Sequence, residues 1–276
     1  MMTTKTKNKI KQWNAFVLFI VAGVMAVAQE NGYLTNRIKP GDICYLDGGG
    51  AERFIDYRQW DSVNPPGELV GVVYYSYYGS EPYGIEGESA AWHGWIVAPD
   101  ESEPVSWAPD STICYDTCVA LYPVEGVNTP YNPDNRQKDI SVRDTCGWQN
   151  TYRLLEFIYT KHHTTLSGNT SPAFYYVFAE KNGVIDFSVK PTMSRTSWYV
   201  PAYGQLRFLY GNLGCINAAM AACGGQRFST GCWYSSTEVG KSCLQAVWNL
   251  RHQGYSSVAN GWLKQYNHTI RAVRNF

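Results

Sequence analysis

Apolar positions recur at helical spacing in the middle of the chain. In TYRLLEFIYTKHH, Leu154, Leu155 and Ile158 fall on one face, and Asn150 stands where an N-cap belongs. Ser171-Pro172 is a cap followed by proline at the first helical position; it opens AFYYVFAEKNG, which Gly183 can end. PAYGQLRFLYGN opens with Pro201 and turns Leu206 and Leu209 inward, and a short helix, INAAMAAC, is closed by Gly224-Gly225. On either side the pattern changes. GDICYLDGGG (Gly41–Gly50) reads as strand and turn, and GELVGVVYYSYYG (Gly67–Gly79) and HGWIVAPDE (His93–Glu101) read as strands rich in β-branched and aromatic residues. After the helices come CWYSSTE, AVWNL and IRAVRNF, each strand-like with weak alternation. NTPYNPDNRQKD (Asn128–Asp139), with two prolines, reads as a surface loop. No repeat and no Gly/Ser linker divides this region, and the order of strands, helices and a strand-rich end predicts an α+β fold.

The first 28 residues stand outside that pattern. Lys5, Lys7, Lys9 and Lys11 precede an apolar run, Ala15–Ala28, that ends in Ala26-Val27-Ala28. This is the layout of a secretory signal peptide cleaved before Gln29, and the run is short for a membrane span. The expected organisation is therefore signal peptide 1–28, a short segment 29–40 and one domain over 41–276. The full chain has 23 basic and 23 acidic residues; losing four lysines and no acid leaves 19 bases against 23 acids, a net charge of about −4. That balance argues against a nucleic-acid partner. No later segment approaches 18 consecutive apolar residues, so no membrane span is expected in the mature chain. The expected location is the periplasm, the cell surface or the medium. Eight cysteines remain, an even number in an exported chain, and at least two disulfides are expected, with pairing open among 105 connectivities.

The segments DTCGWQNT, SPAFYYVFAEKNG, SWYVPAYGQLRFLY, INAAMAACGG, CWYSSTE, AVWNL and IRAVRNF, in that order, resemble the Lcl C-terminal domain family of exported proteins from Bacteroides-type gut bacteria. The likeness runs from about Gly41 to Phe276 and is most specific in the last 80 residues. It implies a C-type-lectin-like single domain, distantly related to sulfatase-modifying-factor domains and to the variable proteins of diversity-generating retroelements. In such a fold the WYSSTE segment is scaffold, its rings packed and its hydroxyls satisfying local backbone, against the alternative that Ser235, Ser236 or Glu238 touches a ligand. The closing IRAVRNF is expected to pair near the N-terminal strand. The chain departs from the family in the order Trp233-Tyr234, where the family has Tyr-Trp, which leaves open which ring is buried, and in its cysteine content.

Catalytic constellations are absent. No G-x-S-x-G elbow supports a hydrolytic triad. The adjacent His162-His163 suits a cation at a helix C-terminus, and His93 an edge histidine. Cys232 and Cys243 fall where the sulfatase-modifying relatives keep reactive cysteines, but their spacing and surroundings do not match what that activity needs, and a disulfide between them is the preferred alternative. The calcium and sugar motifs of C-type lectins do not occur, and NPDN (Asn132–Asn135) is an ordinary turn composition. No metal or cofactor is expected. What remains is the polar, ring-bearing stretch before IRAVRNF. Its Arg251, His252, Tyr255, Trp262, Tyr266 and His268 are the residue types that dominate binding surfaces. In the variable-protein relatives this same region carries the binding residues. The expected function is thus a non-enzymatic, exported, adhesin- or receptor-like domain for an unknown glycan or protein ligand, its ligand face in the loops between WYSSTE and IRAVRNF. The alternatives are an enzyme of the sulfatase-modifying type and a passive structural subunit of a surface fibre.

Overall fold

Asp47 makes the first hairpin. Its Oδ1 accepts from the N–H of Gly49 and of Ala51, each at 2.9 Å, an Asx turn that reverses the chain. Strand β1 (Asp42–Leu46) therefore lies antiparallel to β2 (Glu52–Asp56), Cys44 opposite Phe54. The structure is a computed structural model and describes residues 37–62, 67–79, 91–108, 144–161, 163–228, 231–238, 246–253, 256–263 and 265–276. The unit treated below is Lys39–Phe276.

After β3 (Glu68–Gly79), β4 (Ala91–Val97) and the short β5 (Val105–Ser106) come, among the described residues, four α-helices: α1 (Gly147–Glu156), α2 (Pro172–Tyr176), α3 (Tyr203–Gly211) and α4 (Leu213–Cys223). The chain then returns to strands: β6 (Gly231–Glu238), β7 (Ala246–Gln253), β8 (Ser256–Leu263), β9 (Asn267–His268) and β10 (Val273–Asn275). The fold is α+β. Its main sheet is antiparallel in the order β10-β4-β3-β1-β2; a second sheet runs β6-β7-β8, and β5 pairs with β9.

The main sheet has two buried faces. Cross-strand partners share a face, so Ile43, Val72, Val97 and Val273 form one, packed on Leu206 and Leu209 of α3 and Ile216 and Met220 of α4. Cys44, Phe54, Val73, Ile96 and Arg274 form the other. Laid flat, β2 and β10 would stand about 19 Å apart, four strand spacings. Yet the rings of Phe54 and Phe276 meet at 4.8 Å, and Arg274 reaches Glu52 at 2.6 Å. The sheet therefore curls, and its edge strands close over this face. Gly71 and Gly94 permit the curl: a Cβ on Gly94 would sit 2.1 Å from the Tyr75 carbonyl oxygen and 2.7 Å from the Phe276 ring, and one on Gly71 would sit 2.3 Å from the Val97 oxygen.

IRAVRNF pairs its backbone with β4 and with Tyr199, two strands away from β1. It was expected beside the N-terminal strand; only its Arg274 and Phe276 side chains reach the N-terminal hairpin. A second core joins α1 and α2 through Leu154, Leu155, Ile158, Phe174 and Phe178 to Tyr234, Ile270 and Ala272.

Helix boundaries differ from expectation in one place. α1 begins at Gly147, after Cys146, rather than behind an Asn150 cap. Asn150 is fully buried and points its amide at Asp144 and Ser236. Ser171 does precede α2, with Pro172 at the first position, but its hydroxyl donates to the Trp107 carbonyl at 2.7 Å instead of capping. Both helices widen into a wider-wound last turn, and each stops on a left-handed residue, the exposed His163 (φ 47°) and Gly183 (φ 66°). The amide of the residue after it then bonds back across the turn, Thr164 N–H to the Ile158 carbonyl and Val184 N–H to the Phe178 carbonyl.

Candidate functional site

The helix α3 starts on Ala202, which has no side-chain acceptor for the amides of the first turn. The acceptors come from elsewhere. Tyr203 N–H donates to Thr237 Oγ1 of β6 at 2.9 Å, and Gly204 N–H donates to the Asp144 carbonyl at 2.8 Å. Thr237 Oγ1 in turn donates to Asp144 Oδ2 at 2.6 Å. The same carboxylate accepts from Asn150 Nδ2 at 3.0 Å and from Cys146 N–H at 2.9 Å, and Asn150 Nδ2 also reaches Ser236 Oγ at 3.2 Å. Burial raises the Asp144 carboxyl above its ordinary value, and the three donors, Thr237 first, pull it back. Ser235, Ser236 and Thr237 are all fully buried. The hydroxyls of WYSSTE thus tie β6 to the starts of α1 and α3 and are out of a ligand's reach.

The rings of this motif are both buried, Trp233 at 1% and Tyr234 at 0% exposure. Consecutive strand residues face opposite ways, and β6 lies between the two cores: Trp233 packs with the α3–α4 core and Tyr234 with the α1–α2 core. The swapped order does not leave one ring outside.

Arg271 anchors the closing segment. It has no exposed surface. Its guanidinium lies 4.1 Å from the Phe228 ring centre, donates to the Gln226 carbonyl at 2.9 Å and to the Ala98 carbonyl at 3.3 Å, and faces Glu101 at 3.5 Å. Glu101 also accepts from Trp233 Nε1 and Gln226 Nε2, each at 3.0 Å. Desolvation lowers the Arg271 pKa, with Glu101 opposing.

Four of the sequence-derived ligand residues, Arg251, His252, Trp262 and His268, lie in strands, and Tyr266 lies in the bend between β8 and β9. Arg251 and His252 belong to β7, opposite Cys232 and Gly231 on one side and Val258 and Ser257 on the other. Trp262 is in β8, opposite Val247, four strand positions from Arg251, or about 13 Å along the sheet. Weak periodicity there marks strand, not loop. Tyr266 is 50% exposed, and its carbonyl accepts from the Tyr234 hydroxyl. His268 pairs with Val105 in the small β5–β9 ladder, and its ring meets Tyr234 edge-on at 4.8 Å. Tyr255 lies outside the described residues, as do NTPYNPDNRQKD, Cys114, Cys118 and Cys243.

Disulfides are likewise not seen: no bridge joins any two of the five described cysteines. Cys44 is buried, and desolvation pushes its thiol up to about 12. Among the described residues there is no group of three or more His, Cys, Asp or Glu that could hold a metal ion, and no helix is long and apolar enough to cross a membrane.

One cleft of about 430 Å³ opens where the curled sheet meets α2 and the Trp198 ring. Glu52, Glu68, Asp100 and Glu180 line it with Lys181 and Arg274. Its cations are already engaged. Arg274 pairs with Glu52 and lies 5.4 Å from the Trp198 ring centre, and Lys181 pairs with Asp100. With four carboxylates against two cations, the lining is net acidic.

No family model and no curated protein matches this chain. Among solved structures, it is similar to a fimbrial protein from Bacteroides ovatus, at 17% identity and a TM-score of 0.58 over 87% of this chain. At that identity the likeness is one of fold. The chain spans about half, 49%, of the length of that protein.

Proposed function

We propose that this chain is an exported, non-enzymatic subunit of a bacterial surface fibre. The observation that carries the proposal is the fold shared with a fimbrial protein along 87% of the chain. Two further features support it. The polar residues that could have been read as catalytic or ligand-binding in WYSSTE are consumed in bracing the scaffold. The basic, apolar and A-x-A layout of residues 1–28 fits export. The resemblance to the Lcl C-terminal domain family, with its C-type-lectin-like fold, belongs to the same proposal, as does presentation at the cell surface.

The test is immunogold electron microscopy of native cells with antibody raised against residues 41–276. Label along extracellular filaments that vanish on deletion of the gene supports the reading. Label confined to the cytoplasm or periplasm, or filaments unchanged in the deletion strain, overturns it.

A further inference from the structure

The hairpin of β3 and β4 projects an unusual face. A bulge between Val73 and Tyr75 breaks the alternation and turns Tyr74 and Tyr75 to the same side, both stacked on Trp95, at 5.8 and 4.6 Å with 29° between planes. Tyr74 is buried under the helices, whereas Tyr75 and Trp95 continue outward against Phe208 of α3, which is 42% exposed. Beyond the helix, Tyr77 follows at 6.0 Å from Tyr75, and His93 lies opposite it at 5.5 Å. Tyr75, Tyr77, His93, Trp95 and Phe208 thus form one continuous aromatic platform, half-buried at its base.

Three properties define what the platform fits. The strand residues that build it, Val70–Gly79 and Ala91–Val97, contain no Asp, Glu, Lys or Arg, so the strands themselves present no fixed charge to a ligand. Its rings carry phenol hydroxyls and an imidazole beside their π-faces, which are partners for C–H groups and hydroxyls together. Half-buried rings of this size leave on the order of 200–300 Å² in all, well short of the roughly 800 Å² per partner of a stable protein interface. An uncharged pyranose chain meets all three conditions: its axial C–H faces carry slight positive charge and lie flat on rings, and its hydroxyls bond at their edges. We infer that the β3–β4 platform is a binding site for neutral oligo- or polysaccharide, reading two or three sugar units. The inference does not depend on fibre assembly and concerns what the molecule holds once exported.

Affinity electrophoresis of the purified chain, residues 29–276, through gels containing a soluble β-glucan, a galactomannan or a xylan tests this, with polygalacturonate as the acidic control. At least one neutral polymer should retard the protein. Tyr77→Ala and His93→Ala should each weaken that retention about tenfold or more. Tyr78→Ala, at the neighbouring register position and therefore on the opposite face of the hairpin, should leave it unchanged. Should Tyr77→Ala unfold by circular dichroism, Tyr77→Phe, which keeps the ring, must retain most of the binding while His93→Ala loses it. No retention by any neutral polymer, retention by polygalacturonate alone, or retention indifferent to Tyr77 and His93 overturns the inference. So does concentration-dependent dimerisation in sedimentation that the same substitutions abolish, since the platform would then be a contact between copies.

Discussion

Thr237→Val tests whether WYSSTE is a brace. Valine keeps the shape of threonine and deletes one atom's chemistry. That atom, Oγ1, does two jobs in a fully buried site: it accepts from Tyr203 N–H at the start of α3, and it donates to Asp144 at 2.6 Å. Losing an N-cap acceptor costs about 1 kcal/mol. Losing a hydroxyl bond to a buried carboxylate costs about 1.5–3 kcal/mol. The expected loss is thus roughly 2.5–4 kcal/mol, or a fall in Tm of roughly 5–15 °C for a domain of this size. Thr237→Ser, which keeps the hydroxyl, should fall far less. The loss should also depend on pH. The Asp144 carboxyl already sits above its ordinary value through burial, and Thr237 is the first of the donors that lower it. Without that donor it rises further. A carboxyl raised in the folded state binds its proton more tightly there than in the unfolded chain, so stability falls as pH climbs from the unfolded pKa through the folded one. The mutant's deficit should therefore be larger at pH 8 than at pH 4. Guanidinium titrations at both pH values, followed by far-UV circular dichroism, measure it. A Thr237→Val protein that melts within a degree of the parent would refute the reasoning, and a deficit equal at both pH values would remove Asp144 from it.

Arg271→Ala should destabilise by about 3–5 kcal/mol, because it empties a fully buried site and leaves the mostly buried Glu101 side chain without its cation; Arg271→Met, which fills the space, should cost no less if the carboxylate is the cause, and a near-neutral Arg271→Ala refutes the role. In the native protein at pH 8, iodoacetamide should label Cys215 and Cys223, which are partly exposed, well before the buried Cys44; mass spectrometry that finds Cys44 modified first would contradict its placement. Gly94→Ala should abolish soluble folded protein, since its Cβ would collide with the Tyr75 carbonyl oxygen at 2.1 Å; normal expression and melting would mean the sheet is flatter than described. Tyr266→Ala should shift Tm little, since its side chain is 50% exposed and the Tyr234 hydroxyl donates to its backbone carbonyl; a fall of many degrees would place its ring in the core.

The helices were legible because their punctuation is local. Pro172, Leu206, Leu209 and Gly224 each do what their sequence position implies. Asn150 was misread for a physical reason. A cap is recognised by its side chain, but here the carboxylate of Asp144 meets the Cys146 amide and Asn150 serves a long-range network. No sequence window contains both Asp144 and Thr237. The weak alternation of WYSSTE and IRAVRNF looked like a poor strand signal, yet it reports burial on both faces: Trp233 and Tyr234, like Ala272 and Val273, belong to different cores. AVWNL is the strand its alternation predicts, as the first part of β7, which runs on through Arg251 and His252, and Trp262 belongs to a further strand, β8. The aromatic platform was visible only as a tyrosine-rich strand. The bulge that aligns its rings leaves no mark in the sequence.

The contacts of the closing segment have a consequence in time. Arg274 meets Glu52 across 222 residues, Arg271 meets Ala98 across 173, and Ile270 meets Ser102 across 168. Both cores and the closure of the curled sheet include residues of this segment, so neither core is complete and the sheet is not closed until these distant partners meet. Folding that relies on such distant partners is slow.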